Sequence, residues 1–215
     1  MIEHVYRRAA AARGVDAVIV ATDDERIAAA VAQFGGLVRM TASSHRTGTD
    51  RIAEVARDLA CDIVVNVQGD EPLFEPRMIA DAVGALERDP AVMMSTLRRR
   101  ITDPAEVRNP NVVKVAVDQH DDALFFARLI PFRHNDGPFY KHIGVYVYRR
   151  DFLLKVAALP PTPLEVQESL EQLRVIEHGF RIRAVETQYD SISVDTPEDL
   201  ERVRRQMAVG TSVDV

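Results

Sequence analysis

Short apolar runs alternate with helix-length amphipathic segments through residues 1–88, and this alternation constrains the fold of the chain more than any other feature. The runs at 16–22 (DAVIVAT) and 63–67 (IVVNV) are almost continuously apolar, so each predicts a strand buried on both faces. Strands that alternate with helices of this length are typical of βαβ units. We therefore expect an α/β fold with a mostly parallel central sheet. Helices are expected at 1–13, after Asp23 or Asp24, at 49–60 and at 76–88, with a short strand at 37–40.

The second half of the chain is less regular and predicts a small antiparallel extension of the sheet. Strands are expected at 92–98, 112–118, 123–128, 140–148 and 181–187, and helices at 164–178 and 196–207. No repeat or low-complexity segment interrupts the pattern. We expect a single domain over 1–208 and a loose tail over 209–215.

Composition excludes two classes of function. The net charge of -6 and the pI near 5.5 argue against binding to a nucleic-acid backbone. No apolar run approaches the ~20 residues of a membrane span, and the first residues do not resemble a signal peptide. We expect a soluble cytoplasmic protein whose anionic ligands, if it has any, are held by local basic groups or by a metal.

The segment VNVQGDEP (65–72) places acidic residues where a predicted buried strand ends. Ligands of open α/β sheets lie at the carboxyl ends of strands. Asp70 in that place can bind Mg²⁺, which prefers one or two carboxylates together with phosphate oxygens. The alternative is a strand-ending turn with solvated acids, and the residues alone leave the two interpretations about equal.

A second acidic segment, VDTPEDL (194–200), opens the last predicted helix. Asp195 either caps this helix or shares a metal with Asp70, and taken alone the cap is favoured. Two carboxylates can face an anionic ligand only with a cation between them, because each close pair of like charges repels by ~4 kcal/mol near a protein surface. Together the two segments indicate a magnesium site.

Two further groups have side chains suited to ligand binding. SSHRTGTDR (43–51) offers hydroxyls, a glycine and a helix start to a nucleotide, although an ordinary loop and cap explain it equally well. In the predicted strand 140–148, His142, Gly144 and Tyr146 share one face, whereas Lys141 faces the other. A core histidine is the alternative there. In the predicted helix 164–178, Glu168 and Gln172 share a face.

Six segments together resemble the 3-deoxy-manno-octulosonate (KDO) cytidylyltransferase family in order and spacing. They are SSHRTGTDR, VNVQGDEP, NPNVVKV, KHIGVYVYRR, PLEVQESLEQLRV and VDTPEDLERVR. The resemblance covers nearly the whole chain. It implies a Rossmann-like nucleotidyltransferase fold, CTP and KDO as substrates, CMP-KDO and pyrophosphate as products, Mg²⁺ as cofactor, a homodimer, and a role in lipopolysaccharide synthesis.

The resemblance also implies residue roles. Asp70 and Asp195 match the metal-binding aspartates, and with Arg128 they are the predicted catalytic group. The nucleotide side is matched by His45, Arg51 and Gln68. The sugar side is matched by Arg128, His142, Tyr146, Glu171 and Gln172.

One part of the family pattern has no counterpart in the printed sequence. Family members begin with a buried strand and a loop of the type ARxxSxRLPGKPL that holds the triphosphate, and Met1 to Val5 match the residues after that loop. We therefore expect an unfilled strand position beside 16–22 or 63–67, and little activity from these 215 residues alone.

Two alternatives to this function remain open at this point. One is a cytidylyltransferase for another acid sugar, such as sialic acid, against which the segment 164–175 argues. The other is an inactive remnant that serves as a binding or interaction protein. The missing loop favours the remnant, whereas the retained Asp70, Asp195 and Arg128 count against it.

Overall fold

A computed structural model describes residues 1–130 and 138–210 of the chain. The helices are α1 (Ile2–Ala10), α2 (Glu25–Gln33), α3 (Gly48–Arg57), α4 (Arg77–Arg88), α5 (Pro104–Arg108), α6 (Arg150–Ala157), α7 (Pro163–Glu168), α8 (Gln172–Glu177) and α9 (Pro197–Gly210). The strands are β1 (Ile19–Thr22), β2 (Leu37–Met40), β3 (Ile63–Asn66), β4 (Met94–Arg100), β5 (Lys114–Val117), β6 (Ala123–Ala127), β7 (Tyr140–Arg149) and β8 (Arg183–Glu186).

The strands form two sheets. β1 and β2 pair in parallel as a two-stranded sheet. The six-stranded sheet has the order β6-β5-β7-β4-β8, and β3 pairs with β7 outside this path. Within it β3, β4, β5 and β8 run in one direction, and β6 and β7 run in the other. β7 is long enough to pair with β3, β4 and β5 in turn, and this one strand makes most neighbouring pairs antiparallel.

Helices cover both faces of the larger sheet, because side chains alternate along its strands. On one face α1 and α4 pack against Ile143, Val145 and Val147 of β7. On the other face α3, α6 and α8 pack with Tyr148 of β7 and Met94 of β4. The larger sheet is thus the middle of three layers, with an apolar core on each side.

The predicted α/β fold is confirmed, and the antiparallel extension is formed by β5, β6 and β7. The central sheet is mixed and not mostly parallel as expected, because β7 lies between strands that would otherwise be parallel neighbours. The strand pairing agrees with the unfilled strand position expected beside 16–22 or 63–67. In the described part of the chain β1 pairs only with β2, and β3 only with β7. The prediction that both strands are buried on two faces is wrong, since Ile19–Ala21 and Ile63–Val65 are only half-buried.

Three element predictions need correction. The single helix expected at 164–178 is two helices, because Ser169 adopts the left-handed conformation (φ 55°) and ends α7. α5 and α6 were not predicted, since both helices are short; α5 lies between two loops, and α6 follows β7 directly. α9 continues through Gly210, into the expected tail. Residues 211–215 of that tail lie outside the described residues.

Within the described ranges, no helix is both long and apolar enough to cross a membrane.

Candidate active site

Asp70 lies in the turn that follows β3, and a second segment of chain is bonded to it. The Val194 amide donates to the Asp70 carbonyl oxygen (2.9 Å), and the Ser193 hydroxyl donates to Asp70 Oδ2 (3.3 Å). Burial raises the pKa of the Asp70 carboxyl, and the negative charge of Asp195 raises it further. The two aspartates predicted to share a metal are therefore brought together, by a backbone bond one residue before Asp195.

Asp195 does not belong to a strand. It is exposed and lies in an irregular stretch after β8. Nor is it needed as the helix cap, because Thr196 and Asp199 cap α9 reciprocally: each side chain accepts from the other residue's amide (3.2 and 3.0 Å). The carboxylate of Asp195 therefore remains available for a cation.

Glu71 is the residue at this site that the sequence did not single out. It is only 7% exposed, and burial raises its pKa to about 7, with further contributions from Asp70, Asp195 and Asp190. Neither Glu71 Oε2 nor Asp70 Oδ1 has a hydrogen-bond partner among the described residues, although both oxygens are buried. Its place in GDEP, beside Asp70, was the available signal.

These carboxylates fit a magnesium ion. Buried oxygens without partners are costly unless a ligand satisfies them, and Mg²⁺ takes oxygen ligands, usually one or two carboxylates with water or phosphate oxygens. The described residues contain no ready-made group of three or more His, Cys, Asp or Glu side chains for a metal. A site of two carboxylates completed by a phosphate is compatible with that finding.

The predicted shared face of β7 is confirmed. The ring centroids of His142 and Tyr146 lie 5.3 Å apart. The Tyr146 hydroxyl donates to Gln172 Oε1 (3.0 Å), and Gln172 Nε2 is buried without a partner among the described residues. Lys141 lies on the other side of the strand, where it pairs with Glu106 (3.5 Å) and Asp190. Three of the five predicted sugar-side residues, His142, Tyr146 and Gln172, thus form one connected group.

Arg128 lies just beyond the end of β6, close to this group. Phe126, two residues earlier, contacts the His142 ring edge-on with a centroid distance of 4.9 Å. The guanidinium of Arg128 donates from Nε to the Glu168 carbonyl oxygen (3.0 Å) and from Nη1 to the Pro110 carbonyl oxygen (3.3 Å). These bonds hold the side chain in place and leave other donors of its five for a ligand.

Glu171 has a different neighbourhood from the one expected of a sugar ligand. Its carboxylate accepts from the amides of Gly48 and Thr49 (both 3.1 Å) and from the Thr49 hydroxyl (2.6 Å), so it caps the start of α3. The expectation that Glu168 and Gln172 share a helix face is wrong, because α7 ends at Glu168 and α8 begins at Gln172.

The predicted nucleotide-side residues surround the loop between β2 and α3. His45 contacts Glu54, and this bond holds the pKa of the Glu54 carboxyl below its usual value. Arg51 donates to the Thr41 hydroxyl (2.6 Å) and pairs with Asp23 (3.2 Å) just after β1. Gln68 borders the same loop, since a Cβ added to Gly48 would lie 3.9 Å from its amide nitrogen.

The three groups meet around Gly144. A Cβ on this glycine would lie 3.0 Å from Glu71 Oε1 and 3.7 Å from Gln68 Cγ. Gly144 also lies between His142 and Tyr146 on β7. The missing side chain therefore lets the acidic group, the nucleotide-side group and the sugar-side group approach one another, an arrangement suited to joining two ligands over a metal.

Comparison with known proteins shows which family the chain belongs to. Residues 1–184 match a family model described as Cytidylyltransferase. The chain is 54% identical to the 3-deoxy-manno-octulosonate cytidylyltransferase of Solibacter usitatus (strain Ellin6076), over 95% of this chain and 83% of that protein. It is also 54% identical to the enzyme of the same name from Geobacter metallireducens, over 97% of this chain and 87% of that protein.

Solved structures have the same fold. The structure of CMP:2-keto-3-deoxy-manno-octonic acid synthetase complexed with CTP superposes with a TM-score of 0.91 at 44% identity, over 97% of this chain and 88% of that one. The inositol-1-phosphate CTP transferase from T. maritima superposes with a TM-score of 0.65 at 17% identity, which shows a shared fold alone.

Proposed function

Because the chain belongs to the cytidylyltransferase family, we propose that it joins CTP and KDO to give CMP-KDO and pyrophosphate. The observation that carries the proposal is the identity of 54% with a curated KDO cytidylyltransferase across 95% of the chain. In this reaction the anomeric hydroxyl of the sugar forms a new bond to the α-phosphorus of CTP. The bond from that phosphorus to the bridging oxygen breaks, pyrophosphate leaves, and the hydroxyl proton passes to solvent.

Asp70 and Asp195 are the proposed ligands of Mg²⁺. When bound there, the cation would neutralise negative charge on the phosphates and so supply most of the electrostatic catalysis. The role of the chain is to hold two carboxylates together at the end of β3, where Asp70 Oδ1 is buried without a protein partner among the described residues. Glu71 supports this arrangement as the buried neighbour of Asp70.

The remaining predicted residues divide between the two substrates. Arg51, His45 and Gln68 are proposed to contact the nucleotide, because they surround the loop before α3. The proposed KDO side is formed by the following residues: Arg128, His142, Tyr146 and Gln172. The planar guanidinium of Arg128 suits the sugar carboxylate, since a carboxylate can accept two bonds from such a group. Glu171 precedes Gln172 in the chain and also remains a proposed sugar-side residue, with its carboxylate at the start of α3.

The product CMP-KDO would serve lipopolysaccharide synthesis. The homodimer and the cytoplasmic location that the resemblance implies stay predictions. Gel filtration with light scattering checks the first, and cell fractionation checks the second.

The test is release of pyrophosphate from CTP, KDO and Mg²⁺. The assay uses the printed chain and a version extended ahead of Met1 by the opening segment of a curated relative, because that segment is expected to hold the triphosphate. We expect KDO-dependent release from the extended version. Asp70→Asn in that version is expected to abolish turnover with an unchanged circular dichroism spectrum, whereas Asp62→Asn, an exposed aspartate before the same strand, is the matched control.

Two outcomes would contradict the proposal. Release that requires sialic acid and not KDO would assign the chain to another acid sugar. No release with either sugar, from an extended version that is folded and binds CTP, would favour the non-catalytic alternative.

A further inference from the structure

The pairing register between β4 and β7 shifts at one point, beside the predicted sugar site. Thr96 pairs with Tyr146 and the next residue, Leu97, pairs with Ile143, so Gly144 and Val145 have no pairing residue on β4. Such a bulge interrupts the ladder of hydrogen bonds and leaves backbone groups to be satisfied in another way.

The hydroxyl of Thr96 lies inside this bulge. Thr96 is completely buried, and its Oγ1 lies 2.9 Å from the Val145 carbonyl oxygen and 3.2 Å from the Ile143 carbonyl oxygen. Its third neighbour is His142 Nε2, at 2.9 Å. The threonine thus connects the bulge to the histidine ring.

The number of hydrogens decides the direction of these bonds. A threonine hydroxyl has one hydrogen to donate and two lone pairs to accept with, whereas a carbonyl oxygen can only accept. If the hydroxyl donated to His142, its lone pairs would face those of the two carbonyl oxygens. The hydroxyl of Thr96 therefore donates to a bulge carbonyl and accepts from His142, which requires a hydrogen on Nε2.

The surroundings of His142 favour the neutral form of its ring. Burial lowers the pKa of His142 to about 3, and its ring neighbours are the aromatic side chains of Phe126 and Tyr146. A neutral imidazole has one donor and one acceptor nitrogen. With the hydrogen on Nε2, the acceptor is Nδ1, the nitrogen that does not face Thr96.

We propose that Thr96 is a positioning residue that fixes His142 as the Nε2–H tautomer, so that Nδ1 accepts a hydrogen bond from a hydroxyl of the sugar. The identity of the ligand rests on the proposed function, whereas the tautomer rests on the geometry of the bulge. An acceptor nitrogen favours a hydroxyl and repels an anionic oxygen, so this position contributes to recognition of a polyhydroxylated acid by orienting it.

Nuclear magnetic resonance of the ¹⁵N-labelled full chain tests the tautomer without requiring activity. His142→Asn identifies the ring signals in long-range ¹H–¹⁵N spectra. We expect wild type to show an Nε2–H ring whose proton is protected from exchange with water. Thr96→Ser keeps the hydroxyl and should preserve this signal, and Thr96→Val should lose the protected proton. Ser95→Ala is the matched control, because Ser95 is equally buried on the same strand and bonds the Ala82 carbonyl oxygen (2.7 Å) instead.

The same variants test the consequence for binding by isothermal titration. We expect Thr96→Val to weaken KDO binding by about tenfold, the loss of one hydrogen bond, with CTP binding unchanged and Thr96→Ser close to wild type. A wild-type ring protonated on Nδ1, or a protected Nε2 proton that persists in Thr96→Val, would overturn the proposal. If the expected ring signals appear but wild type does not bind KDO, the tautomer assignment stands and the proposed substrate is wrong.

Discussion

Glu71 combines burial with a charge that the described part of the chain does not neutralise. Its pKa of about 7 means that the folded chain holds this proton more tightly than the unfolded chain, whose ordinary value is 4.5. The contribution of Glu71 to stability is therefore complete below pH 4.5 and is lost as the pH rises through about 7. The loss is on the order of 3 kcal/mol, from the difference between the two values.

We predict that Glu71→Gln removes this loss and makes the chain more stable than wild type above pH 7. Glutamine keeps the size of the side chain and cannot ionise. The measurement is urea unfolding at pH 5 and pH 8 with a chelator present, so that bound metal does not mask the effect. Glu87→Gln, at an exposed carboxylate, is the control. An equal change of stability with pH in wild type and Glu71→Gln would contradict the prediction.

Arg128 is expected to contribute to the binding of KDO and not to that of CTP. We predict that Arg128→Ala weakens KDO binding by roughly ten- to a hundredfold, because a charge-assisted hydrogen bond is worth about 1.5–3 kcal/mol, and leaves CTP binding nearly unchanged. Arg149→Ala is the matched control, since Arg149 also donates to two backbone carbonyl oxygens, at 3.1 and 2.8 Å. Titration calorimetry with each ligand provides the measurement. Equal weakening for both ligands would assign Arg128 to the fold and not to the sugar.

The residues of the site differ in how well the sequence could predict them. The sequence could predict Asp70, because an acidic residue after an apolar strand is a local pattern. It could also predict His142 and Tyr146, because strand alternation places them on one face. The capping role of Glu171 depends on helix α3, more than a hundred residues earlier in the chain, which no local pattern reports. No sequence pattern pointed to Thr96, since its proposed role depends on a bulge in a different strand.

At the scale of elements, the start of α3 is held by side chains from two parts of the chain. Thr47 accepts from the Asp50 amide (3.1 Å), and Glu171 accepts from the two preceding amides. A helix leaves its first amides without internal partners, and a carboxylate there also interacts favourably with the helix dipole. Glu171 therefore joins the nucleotide-side loop to α8, which carries Gln172.

We predict that Glu171→Ala lowers the free energy of unfolding by about 1–2 kcal/mol, the usual cost of losing a helix cap, and speeds amide exchange at Gly48 and Thr49. Thermal unfolding and hydrogen exchange measure the two effects. Glu177→Ala is the matched control, because Glu177 caps α7 by accepting from the amides of Leu164 and Glu165 (3.2 and 3.3 Å). Faster exchange at the start of α3 in the control as well would show general loosening and contradict a specific role for Glu171.

Periodicity predicted most elements and failed where one residue changes the path of the chain. The segment 164–178 has helical spacing throughout, and the left-handed Ser169 that divides it is uncommon for a serine. After the break, the buried Arg174 pairs with Glu165 of α7 (2.6 Å) and with Asp50 of α3 (3.3 Å). These long-range ion pairs favour two short helices over one, and they cannot be read from a local pattern.

For the whole molecule, the division into two sheets is the dominant feature. α3 packs against both β1 and β3, so it links the two-stranded sheet to the larger one. β1 is half-buried and has β2 as its strand neighbour, whereas β4 is buried between β7 and β8. A strand with few buried contacts opens at lower free energy than one in a core.

We predict that amides of β1 and β2 exchange with solvent through a partial opening that leaves the larger sheet folded. The expected free energy of this opening is at least about 2 kcal/mol below that of β4, which should open only with the whole domain. Native-state hydrogen exchange at increasing urea measures both, and the β1–β2 amides should show the weaker urea dependence because their opening exposes less surface. β8 is the matched control: it too is an outer strand with one parallel neighbour, but it belongs to the larger sheet. If β8 is protected nearly as well as β4, the low opening free energy of β1 and β2 is due to the division between the sheets. If β1, β8 and β4 open at one free energy, the chain is a single cooperative unit and the prediction is refuted.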